Sequence, residues 1–243
     1  MVERGGGATV ATFFVETAPV IGAVLVLAEA AARHARVRRL EAGDPVRLAD
    51  GAGTIAAGSI TRMDHRAVEV SVTACAMVER AAPLTLLVPV ADRDRMLWLA
   101  EKAAEFGVTA WRPVVYARSR SVSPRGEGAG FDAKVMARMI GALEQSGGAW
   151  LPRIHAACGL DAAIDACGSA QRFVLHAGGA ALTALGPFTD TAVAVGPEGG
   201  LEAEELALLE ARGWRAASLG NTTLRFETAG VAAAAIVRAT QGR

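Results

Sequence analysis

The feature that most limits how this chain can fold is the apolar run Leu84–Val90, directly after Pro83. A run without clear alternation predicts a strand covered on both faces, as in a parallel sheet lying between helices. The segments downstream agree. Asp92 is placed to cap a helix that Gly107 stops, and Val108–Val115 reads as the next strand, interrupted by Pro113. Ala117–Gly130 reads as a loop of Ser, Arg and Gly. Asp132 is placed to cap a helix that ends at Gly147-Gly148. Arg172–His176, Thr191–Val195 and Ala216–Leu219 read as strands, and Glu202–Arg212 and Thr228–Thr240 as helices. Such alternation predicts an α/β domain with a largely parallel sheet over residues 83–243.

Upstream the pattern changes. Thr12–Val15, Pro45–Leu48, Thr54–Ile60 and Ala67–Val72 are short strand candidates between Gly and Asp turns, with Ala28–Arg38 favouring a helix. They predict a small β-barrel or sandwich over residues 1–82. The apolar stretch Ala18–Ala28 is shorter than the roughly 20 residues a membrane helix needs, and Pro19 and Gly22 interrupt it. With no basic leader or cleavage site at the start, a cytoplasmic, membrane-free protein is expected.

Composition narrows the function. Lys+Arg and Asp+Glu are both 25, so any nucleic-acid contact must come from local patches. Arg33, Arg36, Arg38 and Arg39 form one candidate patch, and Arg112, Arg118, Arg120 and Arg125 another. Cys75, Cys158 and Cys167 show no C-x-x-C spacing, and the histidines are scattered, so no disulfide framework or metal is expected.

The chemistry concentrates in two glycine-bearing loops, Gly196-Pro197-Glu198-Gly199-Gly200 and Leu219-Gly220 through Leu224-Arg225-Phe226-Glu227-Thr228. A glycine loop before a helix often cradles phosphate. Here Glu202, Glu204 and Glu205 follow at once and would repel a polyphosphate, and both the Walker lysine and G-x-G-x-x-G are missing. A neutral or cationic ligand fits better, and S-adenosylmethionine qualifies because it carries a sulfonium and no phosphate. Gly196, Gly200 and Gly220 let backbone approach such a ligand. Leu219 and Leu224 offer an apolar slot, and His176 with Gly178 is a candidate third loop. Arg225 and Glu227 stand in an otherwise small and apolar stretch, so they either pair with each other or serve a ligand.

These residues resemble the RsmE family of SPOUT-class RNA methyltransferases, whose pattern runs G-P-E-G-G, an acidic helix, then L-G-x-x-x-L-R-x-E-T-A. Glu101–Val108, Pro113 with Arg118-Ser119, and Glu144-Gln145-Ser146 are similar to further family segments. So are Phe13–Val15, His34 with Arg39-Leu40, and Gly43-Asp44 in the first domain. The resemblance implies a PUA-like β-barrel followed by a SPOUT-type parallel sheet with a C-terminal trefoil knot. It implies a homodimer and methylation of uridine N3 in small-subunit (16S) ribosomal RNA, free or assembled with proteins. In that reading His176, Gly178, Gly196, Pro197, Gly199, Gly200, Leu219, Gly220 and Leu224 hold S-adenosylmethionine. Arg225 is the first candidate for stabilising charge on the substrate, Glu198 or Glu227 for accepting its proton, and Arg36, Arg39, Arg118, Arg120 and Gln145 for gripping RNA. Two positions depart from the family, Gly141 and Gly148, where the family usually has Glu-Ala before its E-Q-S and an arginine shortly after it. The rival readings are another SPOUT enzyme acting on tRNA or a ribose 2′-hydroxyl, a non-catalytic RNA-binding or assembly protein, and a phosphate-binding NTPase.

Overall fold

The computed structural model describes residues 10–121 and 126–241. The chain divides into two compact units, one running to Arg80 and including Leu143–Trp150, the other holding Ala81–Ala142 and the chain from Leu151 onward.

The first unit is built from β1 (Ala11–Phe14), β2 (Val24–Leu27), α1 (Glu29–Val37), β3 (Pro45–Ala49), β4 (Thr54–Met63) and β5 (Val68–Met77). Its sheet runs β1-β3-β4-β5-β2, with β1 parallel to β3 and the other pairs antiparallel. Alternation in β5 sends Val68, Val70 and Val72 inward, where they meet Phe13, Leu48, Ile60 and the buried Ala32 and Ala35 of α1. The strand β2 lies in the stretch that Pro19 and Gly22 appeared to break. The turn at Gly22 (φ 85°) instead starts it, since the Gly22 N–H donates to Val72 O at 2.9 Å and aligns the next residues with β5. Helix α1 ends on Arg39 at φ 56°, and the Leu40 N–H donates back to Ala35 O at 3.0 Å. Glycine is the usual residue in that cap.

The second unit contains β6 (Leu84–Pro89), α2 (Arg93–Glu105), β7 (Ala110–Val115), α3 (Ala129–Ser146), β8 (Arg153–Ile154), β9 (Cys158–Gly159), α4 (Leu160–Asp165), β10 (Gln171–Ala181), β11 (Thr191–Ala194), α5 (Ala203–Ala211), β12 (Arg215–Ser218) and α6 (Phe226–Thr240). The sheet runs β12-β10-β11-β6-β7-β8, β9 also pairs with β7, and every pair is parallel. All of β6 is buried, as its sequence predicts. Leu84, Leu86 and Val88 enter one apolar layer with residues of α2, α3 and α6, and Leu87 enters the opposite layer with α4 and Leu209 of α5. Truncating such a leucine to alanine costs about 2–5 kcal/mol.

Local chemistry explains where the elements start and stop. The Asp92 side chain accepts from the N–H groups of Asp94 and Arg95, at 3.1 and 3.0 Å, and so caps α2. Pro113 stays inside β7, opposite Val88. Lacking an N–H, it falls between the two short outer partners: β8 pairs at Ala110 and Trp111, β9 at Val114 and Val115. Two expected helix starts are corrected. Asp132 lies in the first turn of α3, which already starts at Ala129, and α6 starts at Phe226, ahead of Thr228. The helix α4 and the two-residue strands β8 and β9 gave no periodic signal. Strand β10 runs past His176 through a register shift between Leu175 and Ala180. Gly179 permits it, because a Cβ there would lie 2.4 Å from the backbone of Ala216 and Ala217. Among the described residues no helix is long and apolar enough to cross a membrane.

Candidate functional site

The C-terminal ends of β10, β11 and β12 lie side by side, the edge at which open α/β sheets place their ligands. A cavity of about 220 Å³ opens there. Strand β10 contributes Leu175, His176 and Ala177, and the segment after β11 contributes Val195 to Glu198, Gly200 and Leu201. From β12 onward come Ala217 to Gly220, Thr222 to Leu224, and then Phe226 and Ala229 of α6. The lining is largely backbone and apolar side chain; among the described residues it holds no lysine or arginine, and Glu198 is its one carboxylate. Anionic ligands are therefore poorly matched to it, as the acidic start of α5 suggests.

The structure brings together eight of the expected site residues here: His176, Gly196, Pro197, Glu198, Gly200, Leu219, Gly220 and Leu224. Gly178 is not in the lining. Its N–H donates to His176 Nδ1 at 3.2 Å, which orients the imidazole and leaves the proton on Nε2. Gly199 faces away, against the aliphatic part of Arg118, to which a Cβ would approach within 3.1 Å. Arg225 is exposed, occupies the N-cap position of α6 and lies between two lining residues, Leu224 and Phe226. Glu227 is buried in the first turn of α6.

No Arg225–Glu227 ion pair is present among the described residues. The cation beside Glu227 is Arg95, in the first turn of α2, with Nε 4.0 Å from Glu227 Oε1. The same guanidinium forms an ion pair with Glu198 through Nη1. The remaining Glu227 oxygen, Oε2, is buried without a hydrogen-bond partner among the described residues. Arg95 was not anticipated, yet it leaves a trace in the sequence: a cation in the first turn of a helix opposes the helix dipole.

Further side chains brace the first loop. Arg118 donates from Nη1 to the Gly199 carbonyl and stands 3.7 Å from Glu202. Arg118, an expected RNA contact, also braces the loop. Glu205 accepts from the Glu202 N–H at 2.9 Å and from the Ala117 N–H at 2.8 Å. The acidic residues after Gly200 thus fasten α5 to the segment that carries Arg118. Just before that segment, Tyr116 is fully buried with no partner for its hydroxyl among the described residues. Burial, aided by the Glu205 charge, pushes its pKa far above the ordinary tyrosine value.

In the first unit, Arg36 and Arg39 are exposed at the end of α1, and Gln145 is exposed in the last turn of α3. The two elements adjoin: His34 Nδ1 lies 3.4 Å from Glu144 Oε2, and Glu144 Oε1 accepts from the Phe14 N–H at 2.9 Å. Arg125 lies outside the described residues, and Arg120 is described by its backbone alone. A Cβ at Gly141 would meet nothing within 4 Å, and one at Gly148 nothing nearer than 3.4 Å, so crowding does not account for either glycine.

Comparison with known proteins bears on this geometry. Residues 78–238 match the family model of the RNA methyltransferase domain, and residues 27–73 that of the RNA methyltransferase PUA domain. The chain is 25% identical to the ribosomal RNA small subunit methyltransferase E of Synechocystis, over 98% of this chain and 80% of that protein. A ribosomal RNA small subunit methyltransferase E from Neisseria gonorrhoeae, solved bound to S-adenosyl methionine, superposes with a TM-score of 0.85. It is 26% identical, with 96% of this chain and 98% of that one covered. A protein of Legionella pneumophila solved with bound SAM gives a TM-score of 0.84 at 27% identity, over 96% of this chain and 98% of that one.

Proposed function

The chain belongs to the RNA methyltransferase family, and from that premise we propose that it transfers a methyl group from S-adenosylmethionine to N3 of a uridine in small-subunit (16S) ribosomal RNA. The observation that carries this reading is a cavity walled by both glycine loops and lined largely by apolar groups and backbone, with one carboxylate and no lysine or arginine among the described residues. Such a lining suits a ligand with a flat base, a sulfonium and no phosphate. Two relatives solved with this molecule bound have the same fold over nearly the whole chain.

When bound, S-adenosylmethionine supplies an electrophilic methyl group on its sulfonium. The chain's own residues do the rest. Gly196, Pro197, Gly200 and Gly220 present backbone to the ligand, while Leu219 and Leu224 cover its flat face. His176, fixed by the Gly178 N–H, offers Nε2–H as a donor at the cavity wall. Uracil N3 becomes nucleophilic only as its imide proton leaves, and the negative charge then spreads onto O2 and O4. Arg225 is exposed and not paired with Glu227, so its guanidinium is available to meet that charge. Of the two carboxylates considered as proton acceptors, Glu198 alone lines the cavity. There it pairs with Arg95. Charge stabilisation by Arg225 is the first role this reading assigns.

Recognition of RNA falls to the first unit. Arg36 and Arg39 offer phosphate contacts, and Gln145 a polar contact beside them. The remaining elements of the proposal are a cytoplasmic homodimer and a trefoil knot formed around the two loops. The strand order β12-β10-β11 is compatible with that knot. The test is mass spectrometry of ribosomal RNA from a strain lacking the gene. One methylated uridine should disappear and return with the intact chain but not with Arg225→Ala. Unchanged ribosomal RNA, or a lost methyl on tRNA or on a ribose, would refute the assignment.

A further inference from the structure

We propose that Arg95 is a positioning residue, which ties Glu198 of the first loop to Glu227 of α6 and so fixes one wall of the cavity before a ligand arrives. The arginine sits where a cation is least expected, in the first turn of α2, beside the N–H groups that Asp92 caps. Opposing the helix dipole costs about 0.3–1 kcal/mol, so its partners must supply more. Exposed ion pairs contribute only about 0–1 kcal/mol, but this cluster is not an exposed pair. The side chain of Glu227 is only 11% exposed, against 34% for Arg95 and 38% for Glu198. Without Arg95 the buried Glu227 would lose its counter-ion, a situation far costlier than losing a surface pair.

The connectivity gives the cluster its role. Glu198 is the charged side chain of the cavity lining, and Phe226, next to Glu227, is a lining residue of α6. One guanidinium therefore bridges the loop after β11 and the helix that follows the second loop. A planar fork can hold two carboxylates together, which a lysine ammonium does poorly.

The inference rests in part on reading the cavity as the S-adenosylmethionine site, so its test has an arm that needs no ligand. Hydrogen exchange of residues 195–201 is followed in the cofactor-free protein, and S-adenosylmethionine affinity is measured by calorimetry. The variants are Arg95→Ala, Arg95→Lys, Glu198→Gln and the Arg95→Ala/Glu198→Gln pair. Each of Arg95→Ala and Glu198→Gln should speed exchange of that segment and weaken affinity by about tenfold, and the double variant should do no worse than either alone. Arg95→Lys should recover part of the loss. Should Arg95→Ala fail to fold, Glu198→Gln reads the same loop from an exposed position. Unchanged loop exchange in Glu198→Gln, or losses that add in the double variant, would overturn the proposal. Loop exchange that responds as expected in a protein that binds no S-adenosylmethionine would sustain the clamp and refute the methyl-donor reading instead.

Discussion

Among the described residues, residues 196–200 are held by side chains from distant segments, whereas the hydrogen bonds at residues 219–225 are local and only Leu219 packs against the core. In the first loop Arg95 grips Glu198, Arg118 grips the Gly199 carbonyl, and the Gly200 N–H closes a turn on Pro197 O at 2.8 Å. In the second, Ser218 Oγ exchanges hydrogen bonds with the backbone of Gly220, at 3.0 and 3.2 Å, and residues 220–225 are exposed. One wall of the cavity is built in advance, and the other has room to settle on what binds. A fixed wall lowers the ordering cost of binding, and a movable wall lets the site close around the reacting groups.

The largest expected effect tests what the free wall is for. If Arg225 meets charge that develops on the substrate, Arg225→Ala should lower the methyl-transfer rate by about 100-fold, the scale of a lost stabilising donor. Cofactor affinity should change little. Equal losses in rate and affinity would make the second loop a binding element like the first and erase the distinction.

Two glycines sharpen it next. Gly200 at φ 76° and Gly220 at φ 136° both stand where side chains are disfavoured. Alanine at such positions costs on the order of 1–3 kcal/mol when the backbone cannot relax. Gly200→Ala, in the braced loop, should therefore lower thermal stability. Gly220→Ala, in the free loop with open space around it, should leave the melting temperature in place. Its strain should surface on binding, as roughly tenfold weaker cofactor affinity. The same melting temperature for both variants would break the comparison.

Arg118→Ala addresses the brace itself. It removes the contact to Gly199 and the Glu202 neighbour. A hydrogen bond from a charged group contributes about 1.5–3 kcal/mol, less here because Arg118 is about half exposed. Cofactor affinity should fall several-fold, with RNA affinity at fixed salt unchanged. A selective loss of RNA affinity would return Arg118 to the role its arginine-rich neighbourhood suggests.

How much of this was legible depends on the range of the interactions. Leu84–Val90 announced a strand buried on both faces because its own residues carry that signal, and Asp92 announced its cap for the same reason. The loops were legible because glycine, proline and a run of acids are local marks. Both the braces and their targets were not. Glu205 reaches Ala117 and Arg118 reaches Gly199 across 88 and 81 positions of the chain, and a cluster of arginines in sequence gives no direction in space. Arg225 and Glu227, two positions apart, could pair or serve a ligand by sequence alone. A helix start between them sends one outward and buries the other, and Glu227 finds Arg95 instead. Strand β2 was hidden because Gly22 reads equally as a breaker and as the turn that begins it.

The smallest effect concerns the foot of the brace, where no activity need change. Tyr116 is the chain's one tyrosine and directly precedes the segment that carries Arg118. Its backbone N–H donates to Ser119 Oγ at 3.2 Å, its ring is buried, and its hydroxyl has no partner among the described residues. Burial raises its pKa because the phenolate would lose its solvation, and the nearby Glu205 charge adds to the rise. In the unfolded chain the hydroxyl ionises near pH 10. The neutral form is favoured by folding, so this contribution to stability is complete below about pH 10 and is lost as the pH rises above that value. Phenolate absorbance should therefore stay absent as the folded protein passes pH 10 and appear together with unfolding. An ordinary titration in protein that remains folded would mean that the ring is open to water. The first loop would then be braced from a mobile foot and would differ from the second only in degree.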